Sequence, residues 1–284
     1  MLARVLRYGL RHPGRAVGAL LSDPAGLWEK VQDKLVQQRE YRQPAHRHRA
    51  MIDWERRLHE GLRVTWPCEA SLEFQALWPS VIARVRAAGI DVGPASFAGY
   101  NDGDAGLARA IWCLVRHLKP RNVVETGVGH GITSRFILEA LALNRAGHLH
   151  SIDLPPLDPA MRRRIGIAVE PRVAGRWSLI ADSSRRALPV LLARLGHIDL
   201  FVHDSLHTER NVRFEIDHAW SSLRPGGAIV VDDIDSNGGF QSFTQSHTGY
   251  HALVCEAEPI RPDTRRFNQR GLFAILLKDP GAGH

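Results

Sequence analysis

The stretch Val123-Val124-Glu125-Thr126-Gly127-Val128-Gly129-His130-Gly131 constrains the fold more than any other part of this 284-residue chain. Two β-branched residues run into an acid and then into glycines spaced G-x-G-x-G. A helical pattern, Ile132 to Leu143, follows at once. The run predicts a buried parallel strand, a tight loop, and a helix whose N-terminus is left open. The glycines allow positive φ and close backbone approach, and exposed N–H groups at a helix start suit an anion or carboxylate. Such a loop alone is also an ordinary structural turn, so the weight falls on what comes after it.

What comes after alternates. Strands are predicted at Asn122–Glu125, His148–Asp153, Trp177–Ala181, Ile198–His203 and Ala228–Val231, with helices between them. The last two strands, His251–Glu258 and Gly271–Leu277, have no helix between them and read as an antiparallel pair. The fold class expected is α/β: a Rossmann-like, doubly wound, mostly parallel sheet with an antiparallel C-terminal edge. Ahead of it, Leu27–Glu40 and Ser71–Ala88 read as helices, and Leu107–Leu118 as an apolar helix closed by Lys119-Pro120. The division expected is a basic helical extension over residues 1–95 and a cofactor-binding domain over 96–284.

Each parallel strand ends in or just before an acid: Glu125, Asp153, Asp182, Asp204 and Asp232. Ligands in such folds lie beyond the carboxyl ends of the strands. The step from Gly131 to Asp153 suits an acid that holds ribose hydroxyls, and Asp182 with Ser183 can read an adenine edge. Any one of these acids can equally be a helix cap; five along one sheet edge favour a ligand site.

In motif order and spacing, residues from about 100 to 280 resemble the class I S-adenosylmethionine-dependent methyltransferases. VVETGVGHG is similar to the first motif of that superfamily, SIDL to the second, IADSS to the third, and LRPGGAIVVDD to the segment through the fifth strand. The resemblance implies that Glu125 faces the methionine part of the cofactor and that Gly127, Gly129 and Gly131 let it approach. It implies further that Asp153 holds the ribose and that Asp182 with Ser183 faces the adenine. The glycine spacing departs from that of NAD-dependent enzymes.

A second constellation narrows the group. Strand four runs into His203-Asp204-Ser205-Leu206-His207, and strand five into Asp232-Asp233-Ile234-Asp235. Close carboxylates are costly unless a cation or a proton joins them. Hard oxygen donors suit Mg²⁺, Mn²⁺ or Ca²⁺ better than zinc. The pattern resembles metal-dependent O-methyltransferases, of the catechol type and of the type acting on sugar hydroxyls, and the related cephalosporin-hydroxylase-like proteins. That implies Asp204, Asp232 and Asp233 as ligands of Mg²⁺ and His207 as the base. The acceptor expected is a small hydroxylated molecule such as a sugar or glycosylated natural product. The alternatives are a metal-independent methyltransferase and a non-catalytic, cofactor-binding scaffold. Asn237–Tyr250, polar and without periodicity, reads as a lid or a surface loop; Trp177 and Trp220 read as core.

The charge is uneven. Residues 1–63 hold 13 Lys/Arg against 7 Asp/Glu, whereas residues 64–284 hold 24 against 23. A balanced core argues against a nucleic-acid partner. Arg4, Arg7, Arg11 and Arg15 among apolar residues suit peripheral contact with an anionic membrane; a solvated arm, a helix on a partner subunit in a homo-oligomer, and a transit peptide look alike. His46 and His48 fall in an expected linker over Tyr41–Arg49. No apolar run nears the roughly 18 residues of a spanning helix. Cys68, Cys113 and Cys255 form no close pair and no CxxC, so neither a disulfide framework nor a zinc site is expected, and a reducing, cytoplasmic setting is the simplest reading.

Overall fold

The computed structural model of the protein describes residues 24–40, 48–97, 102–156, 158–261 and 271–281. The basic segment around Arg4–Arg15 and the linker residues through Arg47 lie outside them. In chain order the elements are α1 (Pro24–Glu40), α2 (Trp54–Gly61), α3 (Glu69–Ala87), α4 (Ala105–Leu118), β1 (Asn122–Thr126) and α5 (Ile132–Leu143). There follow β2 (His148–Asp153), the single turns α6 (Pro159–Arg162) and α7 (Pro171–Ala174), β3 (Trp177–Ala181), α8 (Ser184–Leu195) and β4 (Ile198–His203). The chain ends through α9 (Glu209–Ser222), β5 (Leu223–Val231), α10 (Gly239–Ser246), β6 (Tyr250–Glu256) and β7 (Leu272–Lys278).

The seven strands form one sheet in the order β3-β2-β1-β4-β5-β7-β6, parallel through β5 and antiparallel at β7 and β6. The order reverses between β1 and β4, which makes that crevice the natural place for a ligand. β4 is buried along its whole length, as a central parallel strand covered on both faces must be.

Alternation along each strand sorts the core into two layers. Val123, Leu149, Leu200, Val202, Ala228 and Val230 face α3, α4 and α5. Val124, Ile152, Phe201, Ile229 and Val231 face α8, α9 and α10. Trp54 and Leu58 of α2, Phe74, Val81 and Val85 of α3, and Val92 belong to the first of these clusters, so packing is continuous across residue 95. α1 meets the other side of the sheet, where Arg185 Nη1 of α8 lies 2.9 Å from Asp33 Oδ1.

Two local stops set the site. α4 begins at Asp104, whose carboxylate accepts from the amides of Gly106 (2.8 Å) and Leu107 (3.2 Å), and ends at Lys119 in the left-handed region. Pro120 then delivers the chain into β1. The segment Asn237–Tyr250, expected as a lid or a surface loop, is anchored: it contains α10, and Phe240 and Phe243 are buried in the second cluster. Two phenylalanines at i and i+3 were enough for one amphipathic turn in an otherwise polar stretch. No helix among the described residues is long and apolar enough to cross a membrane.

Candidate functional site

The tips of four strands are laced together. Gly127 N–H donates to Ile152 O (2.9 Å), Asp204 N–H to Thr126 O (2.9 Å), and Asp232 N–H to His203 O (3.0 Å). The glycine loop therefore lies directly against the loop that follows β4. A Cβ built on Gly127 would stand 1.9 Å from the carbonyl oxygen of Asp204, whereas one on Gly129 would meet nothing nearer than Phe97, at 3.7 Å. One glycine lets two loops touch; at the other a Cβ would make only ordinary contacts, with Phe97 and Asp102. At Gly131 a Cβ would come 2.7 Å from Gly166 Cα. Gly131 is also the N-cap of α5 and brings no side chain to cap it, so the first N–H groups of that helix are not served by a cap side chain.

Glu125 is fully buried. Its Oε2 accepts from Ser134 Oγ and Ser151 Oγ, both at 2.7 Å, while Oε1 has no hydrogen-bond partner among the described residues. Burial pushes its carboxyl up to about 7; the two hydroxyls hold it back, and the charge of Asp153 adds to the rise. Asp153 serves the loop itself, its Oδ2 accepting from the amides of Val128 (2.8 Å) and Gly129 (3.1 Å). Asp182 accepts from Ser183 N–H (2.7 Å) and pairs with Arg186 of the next helix turn. Ser183 Oγ is buried without a partner among the described residues.

The second constellation assembles beside this loop. One donor atom each from Asp204, His207 and Asp232 lie within 4.8 Å of one another. His207 Nε2 is 3.8 Å from both Asp204 Oδ1 and Asp232 Oδ2. Asp233 stands apart from that group: φ is +51° there, and its Oδ2 lies 3.3 Å from Nδ1 of His207, on the other nitrogen. The left-handed backbone at Asp233, beyond the end of β5, gives its side chain a different direction from that of Asp232, so an Asp-Asp pair in sequence need not be a pair in space. Asp204 keeps some solvent exposure but is tightly surrounded. Burial, and the charges of Asp102, Asp233 and Glu125, raise its carboxyl well above the usual range, tempered by a hydrogen bond with Asp232. Carboxyls crowded in this way are where a hard cation can relieve the repulsion.

Beneath the site lies a network that sequence reasoning missed. His203 Nδ1 donates to Glu215 Oε2 at 2.6 Å, both side chains being wholly buried. Glu215 also accepts from Thr126 Oγ1, Ser205 Oγ (2.8 Å) and Asn211 Nδ2 (2.9 Å). Burial works to raise its carboxyl, but the His203 charge and these hydrogen bonds outweigh it and hold it down to about 2. The rings of His203 and His207 meet edge to face, 5.3 Å apart. Asp102, which carried no signal in the sequence, accepts from Nδ1 of His130, 2.6 Å away, at the side of the glycine loop. Trp177 and Trp220 are structural, the first donating to Ser151 Oγ at 2.9 Å and the second packed edge-on against Phe243.

Residues 124–234 match the model of a family described as a methyltransferase domain. No curated protein matches the chain. Among solved structures it is similar to the O-methyltransferase TomG of Streptomyces achromogenes, involved in tomaymycin synthesis and solved with S-adenosylmethionine. That likeness has 17% identity, covers 81% of this chain and 100% of that one, and has a TM-score of 0.50. A Klebsiella pneumoniae protein assigned as an O-methyltransferase gives 16% identity, coverage of 78% and 94%, and a TM-score of 0.51. At such identities the likeness is one of fold. The domain match and the sheet order agree: residues 124–234 match a methyltransferase domain, and the fold around them is the Rossmann-like one of the solved methyltransferases.

Proposed function

We propose that the protein transfers a methyl group from S-adenosylmethionine to a hydroxyl of a small molecule, such as a sugar or glycosylated natural product, with Mg²⁺ at the site. The observation that carries the reading is the close grouping of Asp204, His207 and Asp232 beside the glycine loop.

The residues fit the cofactor. Glu125 offers a buried carboxylate oxygen that no described residue occupies, which suits the ammonium of the methionine part, and Gly129 has no side chain to block approach to the loop. Gly127 and Gly131 shape that loop, Asp153 holds its amides, and Asp182 with Ser183 would face the adenine. They fit a hard cation as well: Asp204 and Asp232 offer oxygens at one point and would hold it. When bound, S-adenosylmethionine supplies a methyl on a sulfonium, and a divalent cation lowers the pKa of a hydroxyl that it touches.

The chain's own part is positioning and a proton. His207 takes the hydroxyl proton at Nε2, the nitrogen that faces the two carboxylates. Asp233, at Nδ1, sets the tautomer and stabilises the imidazolium that forms. The His203–Glu215 network supports the β4 end from below.

The test is Mn²⁺ binding, followed by electron paramagnetic resonance on protein saturated with S-adenosylhomocysteine. Bound Mn²⁺ is expected in the wild type and its loss in Asp204→Asn/Asp232→Asn. A wild type that leaves Mn²⁺ free, or full activity with a chelator present, would remove metal from the reading. Methyl transfer would then fall to His207 alone.

A further inference from the structure

A different cluster lies on the other side of the molecule's chemistry, among the N-terminal helices. His59 comes from α2, Cys68 from the residue just before α3, and Cys113 and His117 from one face of α4, four residues apart. His59 is wholly buried, and Cys113 nearly so. His59 Nε2 lies 3.0 Å from Cys68 Sγ, and His117 Nε2 lies 3.4 Å from the same sulfur. Donor atoms of His59, Cys68 and Cys113 all fall within 4.8 Å of one another.

We propose that His59, Cys68 and Cys113 bind a zinc ion, with His117 in reach as the fourth ligand, and that the ion ties α2 and α3 to α4.

Three features point to a ligand rather than to ordinary core packing. The first is the tautomer. His59 Nδ1 donates to the carbonyl of Glu55 at 2.7 Å, so its lone pair is on Nε2, the nitrogen turned to Cys68. A metal-bound histidine is held in the same way. The second is a count of protons. Two imidazole nitrogens approach one sulfur, and a thiol has a single hydrogen to share. The third is size. With Zn–N near 2.0–2.1 Å and Zn–S near 2.3 Å, a tetrahedral site has ligand-to-ligand edges of about 3.3–3.8 Å. For a nitrogen–sulfur edge those lengths give about 3.6 Å; the His117 contact, 3.4 Å, is close to it, and the His59 contact, 3.0 Å, is shorter and would open on binding.

A hydroxyl stands beside the two sulfurs. Ser71 Oγ lies 3.3 Å from Cys68 Sγ and 3.8 Å from Cys113 Sγ, within reach of both sulfurs. The His59 ring is braced by Trp66, centroid to centroid 4.7 Å. Sulfur and imidazole donors favour Zn²⁺ over the hard cations of the acidic site, so the two sites would not compete for one metal. A filled site here would fasten residues 54–71 to the helix that leads, through Pro120, into the glycine loop.

The test is cobalt substitution on the full-length protein under reducing conditions. Co²⁺ bound to two thiolates shows a sulfur-to-cobalt charge-transfer band and tetrahedral d–d bands, and Co²⁺ at a carboxylate site shows no such charge-transfer band. The expected result is stoichiometric appearance of the charge-transfer band in the wild type and its displacement by Zn²⁺. The band is lost or halved in Cys68→Ser and Cys113→Ser and is kept in Asp204→Asn/Asp232→Asn. His117→Gln should move the d–d bands while keeping charge transfer. It also covers the case in which a buried Cys113 variant does not fold, because His117 is only half-buried. Absence of the band in the wild type overturns the proposal. So does an unchanged spectrum in both Cys68→Ser and His117→Gln, or a Cys68–Cys113 disulfide with no metal in protein purified without reductant.

Discussion

Gly127 and Gly129 belong to one motif, yet the structure asks different things of them. In Gly127→Ala the new Cβ would stand 1.9 Å from Asp204 O, 2.5 Å from Asp204 C and 2.9 Å from Ser205 Cα, all of them backbone atoms. Neither loop can yield without moving a strand tip by more than about 1 Å, and overpacking of this kind costs ~1–3 kcal/mol. The φ of +84° adds a left-handed penalty of ~1–2 kcal/mol. A total near 3 kcal/mol lowers Tm by about 6–12 °C in a domain of this size. In Gly129→Ala φ is +53° and the nearest atom is 3.7 Å away, so only the ~1 kcal/mol conformational penalty remains, about 2–4 °C. The assay is thermal unfolding of both variants, paired with calorimetric titration of S-adenosylhomocysteine. Gly127→Ala should lose stability, cofactor binding and Mn²⁺ binding together, because its clash falls on Asp204. Gly129→Ala should stay folded and lose affinity for S-adenosylhomocysteine by tenfold or more, because its methyl projects beside Phe97 where the loop is proposed to receive the cofactor. A Gly127→Ala protein with wild-type Tm and wild-type affinity would refute the contact between the two loops on which the whole site is built.

Two further outcomes are expected. Glu125 has a folded pKa of about 7 against 4.5 unfolded, so the native state holds the extra proton between those values. Its contribution is fully present below pH 4.5 and is lost as pH rises through 7, by ~3 kcal/mol. Glu125→Gln should flatten that part of the stability profile, measured by urea denaturation from pH 4.5 to 8, and a profile parallel to wild type would contradict it. Glu215 has the opposite sign: held at about 2, it adds stability above 4.5 that disappears as pH falls toward 2. Glu215→Ala strands His203, Thr126, Ser205 and Asn211 in the core and should cost ~3–5 kcal/mol in guanidinium denaturation, with Glu215→Gln losing less. Equal losses for the two would point to packing rather than to the polar network.

The parallel strands were legible because their signals are local. His148–Asp153, Trp177–Ala181 and Ile198–His203 run between breakers at both ends, and the helix Ile132–Leu143 starts where the last loop glycine stops. α2 escaped notice for the same reason in reverse: in WERRLHEG only Trp54 and Leu58 carry the apolar face, too short a pattern to stand out among charges. Proximity in sequence misled in one place, where Asp233 follows Asp232 but turns its carboxylate to the far nitrogen of His207. It concealed something in another. Cys68 and Cys113 are 45 positions apart, and no ligand spacing joins them, so no zinc site was expected; the packing of α2, α3 and α4 brings the two sulfurs and His59 together.

The chain by itself therefore determined the alternating α/β architecture, the glycine loop and the row of acids at the strand ends. Each of these is written in hydrophobic period, turn residues and short spacings that a few neighbours decide. Only the tertiary structure decided which acids meet, that Glu215 underlies His203, that Gly127 touches Asp204, and that two histidines converge on Cys68. Those pairings join residues far apart in sequence, and they exist because burying both faces of one sheet brings the loops at its ends, and the helices on its faces, to fixed distances from one another.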